Sequence, residues 1–301
     1  MLGSSIFTHP RRVRLYSLAL IVAGAGASWF LGQWQPDWQW PFAAFLIGAI
    51  GLQHGALDHI LHAHMHGDPE GPLRQSFALP YIGGIGVAWV AFEWAPAVML
   101  AVFLLVSAHH FGMSHLRVDA MRHGQSVQKA SPLAGTLIGL ALIAPLVLRP
   151  DALQVLSEFG WNFDLRGRAE WLPLQVATGC AVFLSAVLHR ETKSGLLPLA
   201  GALLAWTVPD LLLAFALYFV LGHSREAFLD EFKNRQSMDT QFLGLYLRSL
   251  PLSLAFAAMA GVVFWLTTTE VLSERAALSF LLAGTLPHIA VIEGWVSART
   301  R

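Results

Sequence analysis

Five histidines and two aspartates fall within the twenty residues Gly51–Glu70, which read GLQHGALDHILHAHMHGDPE. Further histidines at His109, His110, His223 and His288 lie in stretches that are otherwise apolar. Neutral imidazole offers a nitrogen lone pair that suits iron, copper, zinc and nickel. The single cysteine, Cys180, excludes an intrachain disulfide and any cysteine-built zinc or iron–sulfur site. With no thiolate in reach, iron or zinc leads. Asp58 follows His54 by four residues, which on a continuous helix places both on one face. There its carboxylate can accept an N–H from a ligand imidazole. Glu226 follows His223 by three and shares its face in the same way, where it can be a ligand itself.

The elements that must carry these groups are membrane helices. The chain has 301 residues, of which 55% are hydrophobic and only 13% charged, at a mean hydropathy of +0.55. A soluble domain carries about a quarter charged residues, so the composition predicts an all-α, polytopic membrane protein. The net charge of zero leaves no basic footprint for nucleic acid. Ten spans are expected at about 14–33, 41–65, 77–94, 96–117, 132–149, 170–189, 195–209, 211–229, 245–268 and 276–297, or nine if two merge at Pro209-Asp210. No internal repeat or linker divides the chain, and a single transmembrane domain over residues 1–301 is expected. Arg11, Arg12 and Arg14 precede the apolar run Leu15–Leu31 as they would in a signal peptide. The run lacks a small-residue cleavage site, so a retained first span is expected. With both termini cytoplasmic, fifteen of the nineteen Lys and Arg fall on the inner side and only Arg149, Arg166, Arg168 and Arg275 outside. That asymmetry decides the orientation, in a cell membrane.

In that topology the even-numbered spans all run inward, and each carries a histidine about twelve to fourteen residues along, roughly 18–21 Å of helix. His54, the pair His109 and His110, His223 and His288 are thereby expected at one depth. A lone intramembrane histidine is usually an interhelical hydrogen bonder. Four at one level, each costing about 3 kcal/mol or more to bury, predict a shared metal. His59, His62, His64 and His66 approach the cytoplasmic interface, and His9, His123 and His189 fall in tails or loops. His115 is read either as a support for the site or as an interfacial residue. Phe111, Phe215, Tyr218 and Phe219 sit beside the histidines in sequence and could line an apolar cavity. Gly83, Gly84 and Gly86 are read as close-packing positions.

HGALDH at His54–His59, HHFG at His109–Gly112, LLLAFALYFVLGHS at Leu211–Ser224 and LPH at Leu286–His288 resemble the bacterial and archaeal β-carotene 15,15′-dioxygenase family, also known as the bacterio-opsin-related proteins. The likeness covers most of the chain in the same order. It implies a multi-span membrane enzyme that binds ferrous iron, Fe(2+), through histidines and uses O2 to cleave the central double bond of β-carotene into two retinals. By resemblance His54, His110 and His223 are the ligands; the aromatic residues, from their place beside the histidines, are candidates to line the polyene. Two departures stand out. The family's third motif usually runs H-S-x-R-H, but here it reads HSREA, with Arg225 early and Ala227 where a histidine is expected. The family's HFG usually leads to an acidic residue, where this chain has His115. Glu226 or His288 could supply the missing ligand. A second reading follows from the altered motif: a non-catalytic carotenoid- or retinal-binding membrane protein that partners a rhodopsin or pigment complex. A proton-coupled carrier is a weaker third, since few Ser, Thr, Asn or Gln accompany the histidines of the even spans.

Overall fold

The computed structural model describes residues 10–32, 39–66, 75–122, 131–161, 176, 178–184, 187, 196–227 and 242–299. Among them every regular element is helical: α1 (Pro10–Gly32), α2 (Gln39–Leu46), α3 (Leu52–Gly55), α4 (Asp58–Met65), α5 (Gln75–Trp94), α6 (Pro96–Arg122), α7 (Pro132–Val147), α8 (Pro150–Glu158), α9 (Leu196–Thr207), α10 (Leu211–Leu217), α11 (Phe242–Thr268) and α12 (Glu274–Arg299). Two π-helical segments complete the set, Ile47–Gly51 between α2 and α3 and Tyr218–Ser224 after α10. Such segments are rare and concentrate at functional sites. Here each lies in or directly before a histidine motif.

The all-helical part of the expectation holds among the described residues. Among the described residues four helices are long and apolar enough to cross a membrane: Ser76–Trp94, Pro96–Ala120, Tyr246–Thr268 and Glu274–Gly294. A fifth is reached if α7 and α8, bent by 95° at their junction, form one broken span. The residues expected to form the second and eighth spans are instead divided into short helical pieces by the π-helical segments. A span drawn there from hydropathy is therefore not one uninterrupted α-helix. The expected sixth span, about 170–189, falls largely outside the described residues.

The chain divides into two compact units. One comprises residues 1–51, 104–157 and 161–230, the other 52–103, 158–160 and 231–301. In the first, α9 packs on α7 and α1, and α10 packs on α2. Its core runs through Ile21, Leu142, Leu204, Leu213, Leu217 and Tyr218, all nearly inaccessible to solvent. Small residues set the α6–α7 crossing. A methyl group added at Gly112 would collide with the carbonyl of Gly135, and one added at Gly139 with the carbonyl of Ala108. The pairs Ala108/Gly112 and Gly135/Gly139 thus form a small-residue seam at four-residue spacing, along which two backbones touch. Arg149, read from sequence as a topology marker, has a structural task. Its guanidinium donates to the carbonyl of Ala205 in the last turn of α9, to those of Val208 and Pro209 just beyond it, and to the Asp151 carboxylate at 2.8 and 2.9 Å. Cations belong at helix C-termini, where carbonyls lack partners.

In the second unit α12 is the hub, packing on α5, α4 and α11. Gly84 admits the ring of Pro287 at 3.2 Å from where its Cβ would lie, as expected of a packing glycine. Gly83 and Gly86 face open space and make no such approach.

Candidate metal centre

Each unit brings two of the histidines together. In the first, α6 supplies His110 and the second π-helical segment supplies His223. Both are buried, and their ring centroids lie 5.2 Å apart at 69°. The seam described above holds the α6 face in place, because Ala108 and Gly112 bracket His110 on either side. The adjacent His109 turns away, its Nδ1 hydrogen-bonded to the Thr136 hydroxyl of α7 at 2.9 Å. This separates the two neighbours of the HH pair, which the sequence left together.

His115 lies at 1% exposure, with Nε2 at 2.7 Å from the Tyr218 hydroxyl and its ring 6.0 Å from that of His223. It is therefore a buried support beside His223, not an interfacial residue. The four aromatic residues singled out from sequence do gather here. Phe111 meets His223 edge-on at 4.6 Å, with Tyr218 and Phe219 at 6.0 and 6.4 Å from Phe111. Phe215 stacks on Phe219 at 5.4 Å, and Phe219 lies nearly parallel to His223 at 5.8 Å. Glu226 is buried at 1% exposure.

In the second unit His54 ends the short helix α3 and meets His288 of α12 at a centroid distance of 4.8 Å, edge to face. Asp58 does not extend the helix of His54, because the helix breaks at Ala56–Leu57 and restarts at Asp58. The one-face relation expected from the spacing needs an unbroken helix and is not formed. The fully buried Asp58 carboxylate instead accepts from the Tyr81 hydroxyl at 2.9 Å and from His288 Nδ1–H at 2.9 and 3.0 Å. It does serve an imidazole, but on a different helix. Gln53, next to His54, accepts from the hydroxyls of both Ser249 and Ser253 of α11. This pins α3 to a long helix and so fixes where His54 can sit. His59 bonds its own helix start, Nδ1 to the Ala56 carbonyl at 2.8 Å, and His66 is exposed.

These residues suit a metal by donor chemistry and by spacing. Two imidazoles bound to one first-row ion at about 2.1 Å, on positions about 90–110° apart, have ring centroids about 4.5–5.3 Å apart. The observed 5.2 and 4.8 Å both lie in that interval. Spacing alone is also that of ordinary ring packing, as Phe77 and Tyr81 at 5.0 Å show. What sets the histidine pairs apart is a nitrogen donor in each ring, buried where polar groups are costly.

Tyr81, Gln53, Ser249 and Ser253 were not singled out from sequence. Tyr81 and Ser253 are single polar residues in apolar stretches, while Gln53 and Ser249 stand beside His54 and Arg248, and such residues mark interhelical hydrogen bonds before they mark a site. The seam had a readable signal in its four-residue spacing of Ala and Gly.

A family model described as beta-carotene 15,15′-dioxygenase matches residues 45–296, a stretch containing every histidine pair above. The chain is also 26% identical over 271 residues to a beta-carotene 15,15′-dioxygenase from uncultured marine bacterium 66A03, covering 85% of this chain and 93% of that relative. No solved structure matches it. The chain belongs to the β-carotene 15,15′-dioxygenase family.

Proposed function

We propose that this protein is an iron-dependent oxygenase of the cell membrane that splits the central double bond of β-carotene with O2 to give retinal. The family match across residues 45–296 carries the reading. The imidazole pairs His110–His223, both buried, and His54–His288, buried and part-buried, support it. His54, His110 and His223 are proposed to hold ferrous iron together, with Glu226 or His288 as a further ligand. We further propose ten spans with both termini cytoplasmic, the whole chain acting as one transmembrane domain.

When bound, ferrous iron supplies the O2 chemistry that no side chain can perform. Everything else falls to the protein. β-Carotene is a hydrocarbon dissolved in lipid, so it reaches an intramembrane site from the bilayer, and a wholly apolar lining suffices to hold it. Phe111, Phe215, Tyr218 and Phe219, which pack around and beside His223, are the residues we assign to that lining. The Tyr218 hydroxyl is engaged by His115, which keeps it from offering an unpaired polar group to a hydrocarbon. The aromatic wall also excludes water from the reacting carbons.

The direct test measures metal and product together. Purified protein is expected to contain about one iron per chain and to release retinal from added β-carotene, and His223→Ala is expected to lose both. A preparation holding stably bound, uncleaved carotenoid and no iron would replace this reading with the pigment-binding one.

A further inference from the structure

The strongest unassigned arrangement is the chain of contacts that ends on His288. Tyr81 of α5 donates its hydroxyl to one oxygen of Asp58 on α4, and the carboxylate receives Nδ1–H of His288 on α12. Asp58 is fully buried and the His288 side chain is 12% exposed. Stripping a carboxylate of water costs several kcal/mol even after relaxation. Contacts from two other helices, α5 and α12, converge on the Asp58 carboxylate and offset that cost.

The arrangement has a chemical consequence. A carboxylate can only accept, so Nδ1 of His288 must carry the proton and Nε2 must carry the lone pair. Metal-bound imidazoles are oriented in this way, the far nitrogen donating to a carboxylate that fixes the tautomer and raises the basicity of the ligand nitrogen. The His288 ring stands edge to face with His54 at 4.8 Å, a spacing two ligands of one ion can share.

Resting on the iron reading above, we infer that His288 is a metal ligand alongside His54, and that Asp58 and Tyr81 are positioning residues that hold its Nε2 in the ligating tautomer. The chain thereby replaces the histidine that Ala227 lacks with one from its last described helix. Tyr81 acts at one remove: by donating to Oδ2 of Asp58 it orients the carboxylate, both of whose oxygens face His288 Nδ1.

The experiment is a Co2+ titration of full-length protein in detergent, followed by ligand-field absorption, which reports the number and kind of ligands. Thermal unfolding is measured in parallel. His288→Gln is expected to change the bands and weaken Co2+ binding by about 100-fold or more. Asp58→Asn is expected to weaken it about 10- to 100-fold, Tyr81→Phe by a few-fold, and Asp58→Glu to recover part of the loss. The inference is overturned if His288→Gln binds Co2+ with unchanged bands and affinity while His110→Ala abolishes binding, an outcome that leaves the iron reading standing. It is equally overturned if Asp58→Asn lowers only the melting temperature, because a purely structural triad would do that. Wild-type protein that binds no Co2+ would remove the iron reading and this inference together.

Discussion

Gly112→Ala tests whether the α6–α7 seam positions the centre. The added methyl would overlap the Gly135 carbonyl oxygen and lie 2.6 Å from its carbon and 2.8 Å from Gly139 N. These are backbone atoms, so no side chain can rotate to make room, and α7 has to retreat by about 1 Å or more. Overpacking of this kind costs about 3 kcal/mol, the upper end of the usual range. The retreat also stretches the 2.9 Å bond from His109 to Thr136, losing about 1 kcal/mol more. Alanine's better helix propensity returns about 1 kcal/mol, leaving a net loss of about 3 kcal/mol. Gly83→Ala is the matched control, since it lies in a helix with nothing within 4 Å of the new methyl. That substitution is expected to be neutral or to stabilise by up to about 1 kcal/mol. Reversible unfolding in mixed micelles measures both, and the metal titration shows whether His110 has moved. If the two variants match in stability to within about 0.5 kcal/mol and bind metal alike, the seam does not position the centre.

Two further outcomes separate stability from chemistry. Tyr218→Phe removes the hydroxyl bonded to His115 while keeping the ring against Phe111. It is expected to cost about 1–2 kcal/mol in unfolding measurements with iron content retained. Arg149→Met takes the cation from three carbonyls and Asp151, and is expected to lose about 3 kcal/mol or more. Activity per folded, iron-loaded molecule should be unchanged, measured on the surviving fraction.

Much of this protein is readable from its composition and spacing. An apolar chain with few charges must satisfy its backbone within helices wherever lipid surrounds it. The boundaries of α5, α6 and α11 accordingly fall within a few residues of those read from hydropathy. The motif histidines were visible for a related reason. In such a chain an imidazole is an expensive exception, and exceptions stand out. The resemblance across the HGALDH, HFG and GHS motifs agrees with the family whose model matches residues 45–296.

What spacing could not supply was the course of the helices through those motifs. Asp58 at four residues from His54 reads as a same-face partner only on an ideal helix. The break at Ala56–Leu57 hands its carboxylate to Tyr81 and His288 instead. The π-helical turns at Ile47–Gly51 and Tyr218–Ser224 likewise alter the rotation that relates one side chain to the next. His109 and His110 are equivalent by composition, and only the seam with α7 decides that one meets Thr136 and the other His223. The sequence thus determined an all-helical chain, with helices apolar enough to cross a membrane and rare imidazoles among them, because the cost of a polar group in apolar surroundings follows from residue type alone. Which imidazole meets which partner depends on a few ångströms of helix rotation and approach, and only the packed tertiary structure sets that.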